Sequence, residues 1–599
     1  MRSPSVQLGT ADPGPDWSIA SAGLALTAIA VPTLIAFNVP PSATFFNQAA
    51  ALVGWGGWLA WLALSLDRKR LAGCNGLVAL QAVFALLLLA ALASTLWADL
   101  PLPLASSSAG MIVAAALAAL VAAALQSIGY WTAVFRIFCI ALLVAAATGA
   151  VIGLSQVFAP QLGDGDWIAK TSLAGRAVGN MRQPNHLSSL LLWGVVASVW
   201  LAEDETLRRI LTWAAVLLLV FVLVLSGSRT GALGTAVLAL WGALDRRLSP
   251  HARALLCLTP LAYAMFWLAM SAWADASHHV FGGETRFSAN GDVSSSRFAI
   301  WSNTLALIKA HPWFGVGFGE FNFAWTLTPF PNRPVAFFDH THNLVLQLAV
   351  ELGIPLALVV LALLGWAFLC AFRNARHSGR ITGDTNGPPV QRAALVIVLM
   401  AMLHSLLEYP LWYAYFLLPT AFAFGLCLAE SVPTGSATPV APTSVRTRTR
   451  PLLIASMFLM LGGMFAVYDY MRVVVIFAPP AGAAPLADRI EDGRHSVLFS
   501  HHADYAAATT AEHPSDVMWA FKGAPHYLLD ARLLQAWAIA LHESGDTDRA
   551  RYVAARLKEF RSDQSEAFFA VCDEATKPGT KRPFQCEPPA RAYTYLDFR

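Results

Sequence analysis

The chain has 599 residues, of which 56% are hydrophobic and only 13% are charged, with a formal net charge of +3. Soluble domains carry about 25% charged residues, so this composition argues against an ordinary soluble protein and favours a membrane protein. The small net charge also argues against the broad basic surface of a nucleic-acid-binding protein.

Apolar segments long enough to cross a bilayer recur up to residue 470. A transmembrane helix needs about 20 mostly apolar residues, and the pattern predicts about 13 spans. The division between spans is least distinct around Glu408 and Trp412. The apolar run after Asp16 is too long for a signal peptide, so we expect the first span to be retained. The predicted spans are residues 18–38, 47–66, 76–97, 108–126, 134–158, 187–202, 210–226, 230–244, 252–273, 343–370, 393–409, 411–430 and 451–470.

Lysine and arginine residues favour one orientation of these spans. With the N-terminus in the cytoplasm, every short inside loop contains a basic residue, whereas the outside turns at 39–46 and 98–107 contain none. An odd number of spans then predicts that residues 471–599 lie outside the cytoplasm. The basic inside loops are residues 67–70, the Arg136 turn, 208–209, 246–253, 373–392 and 446–450.

Some of the predicted outside segments contain basic residues. Lysine and arginine are uncommon in short translocated loops, so their presence suggests a functional role. The segments are residues 159–186, 226–231 and 274–342. The longest of them predicts an amphipathic helix along the membrane surface. Its apolar residues recur at helical spacing, at Phe298, Trp301, Leu305 and Ile308.

The first polar cluster lies in GNMRQPNHLSSLLLWG, residues 179–194, directly before an apolar span. Arg182, Gln183 and Asn185 are its candidate binding residues. Pro184 fixes the turn, and Asn185 is expected to cap the following helix. The alternative is a polar helix start with no further role.

A glycine-rich turn, LSGSRTGALG at residues 225–234, joins two predicted spans. Small residues allow the two helix backbones to approach closely. Arg229 would then lie at the outer membrane face among exposed amide donors, which suits a phosphate group. The alternative is an arginine that extends to the lipid headgroups.

The segment DHTHNLVLQLAVELGIPLAL, residues 339–358, has two histidines directly before a span. A histidine with a near-neutral pKa can accept a proton from a hydroxyl group, so His340 and His342 are candidate bases. Asp339 and the two histidines also suggest a metal, but a further ligand at a helical interval is missing. The alternative is an interfacial histidine without a catalytic role.

In HSLLEYPLWYAYFLLP, residues 404–419, Glu408 lies among tyrosines and a tryptophan. A carboxylate in this setting can hold sugar hydroxyls or a neighbouring arginine. The alternative is a simple break between two helices at Pro410. Arginines, a histidine beside a membrane helix and aromatic rings together fit the transfer of a glycan from a polyprenyl pyrophosphate.

The composition changes after residue 471. The stretch 528–560 predicts a helical hairpin that resembles one tetratricopeptide-like unit, so we expect a small helical domain. Cys572 and Cys586 follow in a polar segment and could form a disulfide in an oxidising compartment. The alternative is two free cysteines.

The polar motifs resemble the O-antigen ligase / Wzy polymerase superfamily, and within it the PglL-type bacterial protein O-oligosaccharyltransferases. SGSRTGALG and HNLVLQLAVELGIP are similar to the ligase region of the superfamily, here at residues 210–370. GNMRQPNHLSSLL is similar to a short motif of the protein-glycosylation ligases. HSLLEYPLWYAYFLLP and the helical tail are similar to the C-terminal region of the same subgroup. The resemblance covers residues 160–599, and the earlier spans match only in hydropathy.

The resemblance implies an all-α polytopic membrane protein of GT-C-like ligase architecture. It implies a bacterial inner-membrane location, with the N-terminus in the cytoplasm and the C-terminal domain in the periplasm. The implied activity is transfer of a glycan en bloc from undecaprenyl pyrophosphate to a Ser or Thr hydroxyl of pilin or another periplasmic protein. The implied partners are the lipid-linked glycan, the acceptor protein and membrane lipid, with no cofactor and no metal.

The resemblance also implies roles for individual residues. His342 matches the key histidine, which activates or positions the acceptor, and periplasmic arginines hold the pyrophosphate. Arg229 matches one of these arginines by motif, whereas Arg286 and Arg297 match only by their position in the loop. The other candidate substrate-binding residues are Arg182, Gln183, Asn185, His340, Asn343 and Glu408.

Other functions remain open from the sequence. An O-antigen ligase acting on lipid A–core, or a Wzy-type polymerase, is the alternative enzyme, although the long outer tail and the QPNH segment favour protein glycosylation. A transporter of the lipid-linked glycan would need charged or broken helices at the membrane midplane, and the polar motifs lie at helix ends instead. The predicted regions are N-terminal spans at 1–158, the glycosylation-ligase motif at 159–209, the ligase region at 210–370 with its loop at 274–342, C-terminal spans at 371–470 and the outer domain at 471–599.

Overall fold

The structure of the protein is a computed structural model. Among the residues that it describes, all regular secondary structure is helical and there is no strand. This confirms the predicted all-α polytopic fold. The described residues are 15–66, 75–125, 130–171, 173–284, 293–331, 333–335, 337–377, 390–429, 450–574 and 582–599.

Each predicted span corresponds to a helix, but α2 and α8 meet neither of the two apolar-helix criteria that the other eleven helices meet. Within the described residues, 9 helices are long and apolar enough to cross a membrane, and α13 and α14 are shorter apolar helices. The exact number of crossings therefore stays a prediction. The helices are α1 Pro15–Leu34, α2 Phe45–Ala63, α3 Asn75–Trp97, α4 Leu102–Ala124, α5 Trp131–Phe158, α6 Pro184–Glu203, α7 Arg209–Ser226, α8 Arg229–Leu244, α9 Pro250–Ser277, α12 Leu344–His377, α13 Val390–Ser405, α14 Ala414–Leu428 and α15 Arg450–Phe477.

The helices of the bundle pack closely where small residues line their contacts. Helix α2 packs between α1 and α15, α5 packs on α6, and α4 packs on α14. A Cβ atom added at Gly54 would lie 2.7 Å from the Cα of Ala28, and one added at Gly56 would lie 2.5 Å from the backbone nitrogen of Met460. Only glycine allows α2 to approach both neighbours this closely.

Helix α12 is broken near its start. Gly353 has φ 75° and ψ 164°, a conformation open to glycine, and a proline two residues later lacks a backbone N–H. The carbonyl groups of Val350 and Glu351 accept hydrogen bonds from the N–H groups of Val316 and Gly317, at 2.8 and 3.1 Å. The loop segment that contains Val316 and Gly317 is thereby attached to the membrane helix α12.

The loop between α9 and α12 contains two helices, α10 Val293–Ala310 and α11 Phe321–Leu327. The first confirms the helix that the apolar spacing predicted. Arg333, one of the basic residues in this loop, binds within the protein, because its Nε donates to Glu559 at 2.8 Å and its guanidinium also binds backbone carbonyls at the end of α11. Arg333 therefore has a structural role.

The C-terminal region contains a small helical domain. The predicted hairpin is confirmed as α19 packed against α20, with Asp530 and Asp546 as their N-caps. Helix α15 extends to Phe477, beyond its predicted end at residue 470. Cys572 and Cys586, 14 residues apart, are joined by a disulfide. The helices of the domain are α16 Leu486–Arg494, α17 Ser500–Thr510, α18 Ala524–Tyr527, α19 Ala531–Glu543, α20 Thr547–Glu559 and α21 Asp563–Glu574.

The loop helices and the C-terminal domain share one hydrophobic core. Side chains from α10, α11 and the segment before α12 pack with side chains from α15 and from the C-terminal helices. The C-terminal domain therefore lies against the same end of the bundle as the α9–α12 loop. Members of the shared core include Ile300, Phe321, Trp325, Phe338, Tyr470, Ala503, Leu533, Trp537 and Leu557.

Candidate active site

The turn before α12 positions the two candidate histidines. Thr341 is buried, its N–H donates to Oε1 of Gln347 at 2.8 Å, and its carbonyl accepts from the indole of Trp301 at 2.9 Å. His342 follows with φ 55°, a left-handed conformation that is uncommon for a residue with a side chain. Hydrogen bonds from α10 and α12 thus hold the backbone on which His342 is placed.

Asn343 caps helix α12. Its Oδ1 accepts from the N–H of Leu346 at 3.0 Å, and its Nδ2 donates to the carbonyl of Leu406 at 3.0 Å. Asn343, predicted as a substrate-binding residue, thus has a structural role at the start of α12. The second bond connects the turn that carries His342 to the turn that carries Glu408.

The start of α6 differs from the prediction that Asn185 is its cap. Gln183 is the N-cap, with extended backbone and a side chain that accepts from the N–H of His186 at 2.7 Å. Asn185 lies inside the helix, where its Oδ1 accepts from the hydroxyl of Ser228 at 2.5 Å. The Asn185 side chain therefore connects α6 to the start of α8 and to the Glu408 turn.

Glu408 is the centre of the polar network. It is 7% exposed and lies between α13 and α14. Its carboxylate accepts hydrogen bonds from Arg297 at 2.8 Å, from Asn185 at 2.5 Å and from Gln183. Of the two interpretations of this carboxylate, binding a neighbouring arginine is the one observed.

Arg229 begins α8 next to this network. Its predecessor Ser228 is the N-cap and accepts from the N–H of Gly231 at 3.0 Å. The hydroxyl of Ser228 is also bonded to Asn185, and Asn185 is bonded to Glu408. The structure therefore brings the SGSR turn, the QPN segment and the Glu408 turn together.

Aromatic rings adjoin the histidines. Tyr409 stacks on His340 with ring centroids 4.3 Å apart and meets His342 edge-on at 5.0 Å. Trp412 packs edge-on against His340 at 4.9 Å. His340 is therefore packed between two rings, and its Nδ1 lies 3.1 Å from Oδ1 of Asp339. Nδ1 of His342 has no hydrogen-bond partner among the described residues.

The surroundings set the charges of the main groups. Burial, with the positive charge of Arg297, lowers the pKa of His342 to about 4, although Glu408 opposes this shift. Burial by itself would raise the pKa of Glu408, but His404, Arg297 and His342 together hold it well below its usual range. At neutral pH the site thus contains a neutral imidazole and an ionised carboxylate.

Arg182, another of the predicted arginines, binds away from this network. Arg182 has φ 57°, and its guanidinium donates to the carbonyl of Ala43 at 3.0 Å. It connects the start of α6 to the turn between α1 and α2. Arg286 lies outside the described residues.

Two further histidines, His404 and His186, contribute to the site although neither was among the predicted site residues. Nδ1 of His404 lies 2.8 Å from the hydroxyl of Ser189, and its Nε2 lies 3.8 Å from Glu408. His186 lies 3.2 Å from the hydroxyl of Tyr415. The four-residue spacing between His404 and Glu408, at the end of an apolar run, could have identified the first of them. In the part of the chain that the structure describes, no group of three or more His, Cys, Asp or Glu residues could hold a metal ion.

Three families match segments of the chain. Residues 214–361 match the family described as O-Antigen ligase, residues 392–571 match the C-terminal part of the virulence factor membrane-bound polymerases, and residues 177–202 match the protein glycosylation ligases. All of the described candidate residues in the site fall within these segments. The resemblance that the motifs indicated is therefore confirmed.

The chain is also similar to characterised proteins. It is 28% identical over 264 residues to a general O-oligosaccharyltransferase of Acinetobacter baylyi, covering 43% of this chain and 44% of that protein. It is 24% identical over 269 residues to the ComP-specific O-oligosaccharyltransferase of the same organism, covering 44% and 46%. The chain thus matches slightly less than half the length of each relative.

Proposed function

We propose that this protein is a glycosyltransferase, an O-linked oligosaccharyltransferase that moves a glycan en bloc from undecaprenyl pyrophosphate to a Ser or Thr hydroxyl of a periplasmic protein such as pilin. The observation that carries the proposal is the placement of the half-buried His342 on a turn that is hydrogen-bonded to the turn of Glu408, the carboxylate that binds Arg297. The names of both relatives support it, because each is an O-oligosaccharyltransferase.

In the proposed reaction His342 accepts the proton of the acceptor hydroxyl. The hydroxyl oxygen forms a bond to the anomeric carbon while the bond from that carbon to the pyrophosphate oxygen breaks. The electron pair of the broken bond leaves with the pyrophosphate, and Arg229 and Arg297 stabilise its charge. A single displacement of this kind inverts the configuration at the anomeric carbon.

The Arg297–Glu408 pair suits this role for the arginine. One terminal nitrogen of Arg297 is fixed by Glu408 at 2.8 Å, whereas its buried Nε makes no hydrogen bond to another described residue. A fixed guanidinium with a remaining donor is a good partner for a phosphate oxygen. Glu408 in this account positions the arginine and does not itself react.

The proposed location is the bacterial inner membrane, with the site and the C-terminal domain on the periplasmic side. The basic residues of the opposite loops support this orientation. The shared core supports it as well, because it keeps the C-terminal domain at the end of the bundle that contains His342. Lipid and the lipid-linked glycan would therefore reach the site from the outer leaflet.

A second candidate function is that of an O-antigen ligase acting on lipid A–core, or of a polymerase. The matches to the O-Antigen ligase family and to the membrane-bound polymerases favour this reading. A transporter of the lipid-linked glycan is less supported, because the polar side chains gather at helix ends and not along a path through the bundle.

The test is expression of the protein with a lipid-linked glycan and a candidate pilin, followed by intact-mass measurement of the pilin. We expect a mass increase equal to one whole glycan. A parallel strain with complete lipid A–core shows whether glycan is added there instead, and addition only to lipid would replace the proposal with the ligase. A His342→Ala strain is the control for background transfer.

A further inference from the structure

Three rings of the C-terminal domain form a cluster, which we call the histidine–tyrosine cluster: His501, His502 and Tyr527. The Tyr527 ring lies 4.2 Å from His501 and 4.7 Å from His502, between ring centroids. His501 is 4% exposed, and its Nδ1 has no hydrogen-bond partner in the described residues. Tyr527 is 37% exposed, and its hydroxyl forms no hydrogen bond within the described part of the chain. One face of the cluster is thus held by histidines, while the tyrosine remains accessible.

The cluster lies beside the candidate active site. The N–H of Leu529 donates to Oδ1 of Asn322 at 2.9 Å, and Nδ2 of Asn322 donates to the carbonyl of Phe338 at 3.0 Å. The Phe338 ring packs edge-on against His342 at 5.4 Å. Two hydrogen bonds and one ring contact therefore connect the segment that follows Tyr527 to the catalytic candidate.

The electrostatic surroundings of Tyr527 include groups of the candidate active site. Burial and then the negative charge of Asp339 raise the pKa of Tyr527 to about 12, although 37% of the residue is still exposed to solvent. Tyr527 in turn acts on Tyr413, next to the Glu408 turn. The Tyr527 phenol is therefore neutral at physiological pH.

The chemistry of the cluster suits a sugar. A tyrosine offers an apolar ring face with a hydroxyl at its edge, and both can contact a ligand that combines C–H faces with hydroxyl groups. None of the three side chains carries the full charge that a pyrophosphate or a charged peptide would require. Tyr527 and His342 are connected only indirectly, through Asn322 and Phe338, so we assign a sugar at Tyr527 to a position beyond the reacting one.

We propose that the C-terminal domain contributes a saccharide subsite in which Tyr527, backed by His501 and His502, contacts a sugar of the donor glycan beyond the sugar that is attached to the acceptor. This inference rests on the proposed function, and it names the part of the substrate that the C-terminal domain recognises. Tyr527 is then a specificity residue that distinguishes an oligosaccharide donor from a single-sugar donor.

The test measures binding of two donors with the same polyprenyl pyrophosphate, one carrying a single sugar and one the full oligosaccharide, to the purified full-length protein in lipid nanodiscs. We expect Tyr527→Ala to raise the Kd of the oligosaccharide donor about tenfold, as for the loss of one good contact. The Kd of the single-sugar donor is expected to be unchanged. Tyr527→Phe, which keeps the ring, should have a smaller effect. Tyr468→Ala, at an exposed tyrosine on α15, is the matched control and should alter neither value.

Equal weakening of both donors by Tyr527→Ala would show a general structural role and would overturn the subsite. Unchanged binding of both donors would overturn it too, as would an effect confined to the KM of the acceptor protein. Because the measurement is donor binding, it does not depend on which acceptor is used. Failure of wild-type protein to glycosylate any protein acceptor would reject the proposed function separately.

Discussion

The carboxylate of Glu408 accepts a hydrogen bond from Arg297 at 2.8 Å, across 111 residues of sequence. Both charges are largely removed from water, and removal of one partner from such a pair leaves the other without compensation. We expect Arg297→Ala to lower the free energy of unfolding by about 3–5 kcal/mol. Thermal unfolding of the purified protein measures this change.

The Arg136–Asp204 pair provides the control for that prediction. Its arginine side chain is 43% exposed, so Arg136→Ala is expected to cost only about 0–1 kcal/mol. A double variant, Arg297→Met with Glu408→Leu, should recover part of the stability lost by Arg297→Ala, because no lone charge remains. Equal losses for Arg297→Ala and Arg136→Ala would contradict the account of the buried pair.

For His342 we predict that His342→Ala lowers glycan transfer by about two to four orders of magnitude, the range for removal of a general base. Donor binding should be largely retained, because in the proposed mechanism the arginines and not His342 bind the pyrophosphate. His340→Ala is the comparison, and its ring is held by Tyr409 and Trp412. Loss of transfer in the His340 variant with normal transfer in the His342 variant would reassign the role to His340.

The pH dependence of transfer follows from the lowered pKa of His342, about 4. The base must be unprotonated, so its contribution is present above this pKa and is lost as the pH falls through it. We expect the transfer rate to be flat between about pH 5 and 7 and to fall below about pH 4. An inflection near pH 6.5, the ordinary histidine value, would show that His342 is not protected from water in the working enzyme.

Arg229 is predicted to bind the donor pyrophosphate. Arg229→Lys keeps the charge but loses the planar pair of donors, so it should weaken use of the donor, and Arg229→Ala should weaken it further. The measurement is the KM for the lipid-linked donor at saturating acceptor. Arg253→Ala, at the other end of the α8–α9 pair, is the control. A normal KM for Arg229→Ala would remove this residue from the donor site.

A further prediction concerns the topology of the protein in the membrane. A cysteine introduced at Glu512, exposed in the C-terminal domain, should react with a membrane-impermeant thiol reagent in intact spheroplasts. A cysteine at Arg208, exposed at the start of α7, should react only after the membrane is opened. Both are made in a Cys257→Ser background, because Cys257 is an exposed free thiol. The reverse pattern would invert the orientation.

The last prediction concerns the disulfide. Cys572 and Cys586 should be recovered as one linked peptide under non-reducing conditions. Cys572→Ser is expected to lower stability by about 3 kcal/mol, the value for a loop of this length. Cys257→Ser should have no such effect. Recovery of both thiols in free form would contradict the prediction.

The error at Asn185 shows what the local sequence could still have revealed. Proline favours the first position of a helix, so Pro184 at that position places the cap on Gln183. The same rule was available from the sequence alone. By contrast, the bonds from Asn185 to Glu408 and Ser228 join helices that are distant in sequence, and no local pattern indicates them.

The helices themselves were predictable because apolar length and spacing decide them, as for α10 and for the α19–α20 hairpin. The partners of Arg297 were not, because an arginine in a long loop gives no indication of which buried carboxylate it will reach. Arg333 shows the opposite outcome for a basic residue of the same loop, since it binds Glu559 and backbone carbonyls. Sequence position therefore identified candidates, and only packing distinguished a site residue from a structural one.

The hydrophobic core shared by the α9–α12 loop and the C-terminal helices limits how this protein can be rebuilt. A cut after α15 would leave apolar surfaces uncovered on both pieces, so neither is expected to fold as a separate module. A chimera that exchanges glycan preference with a related enzyme would have to transplant residues 293–343 and 450–599 together. Exchanging residues 450–599 alone would place the new C-terminal helices against the original loop helices. The shared core would then be mispacked, even if the exchanged residues can bind the intended sugar.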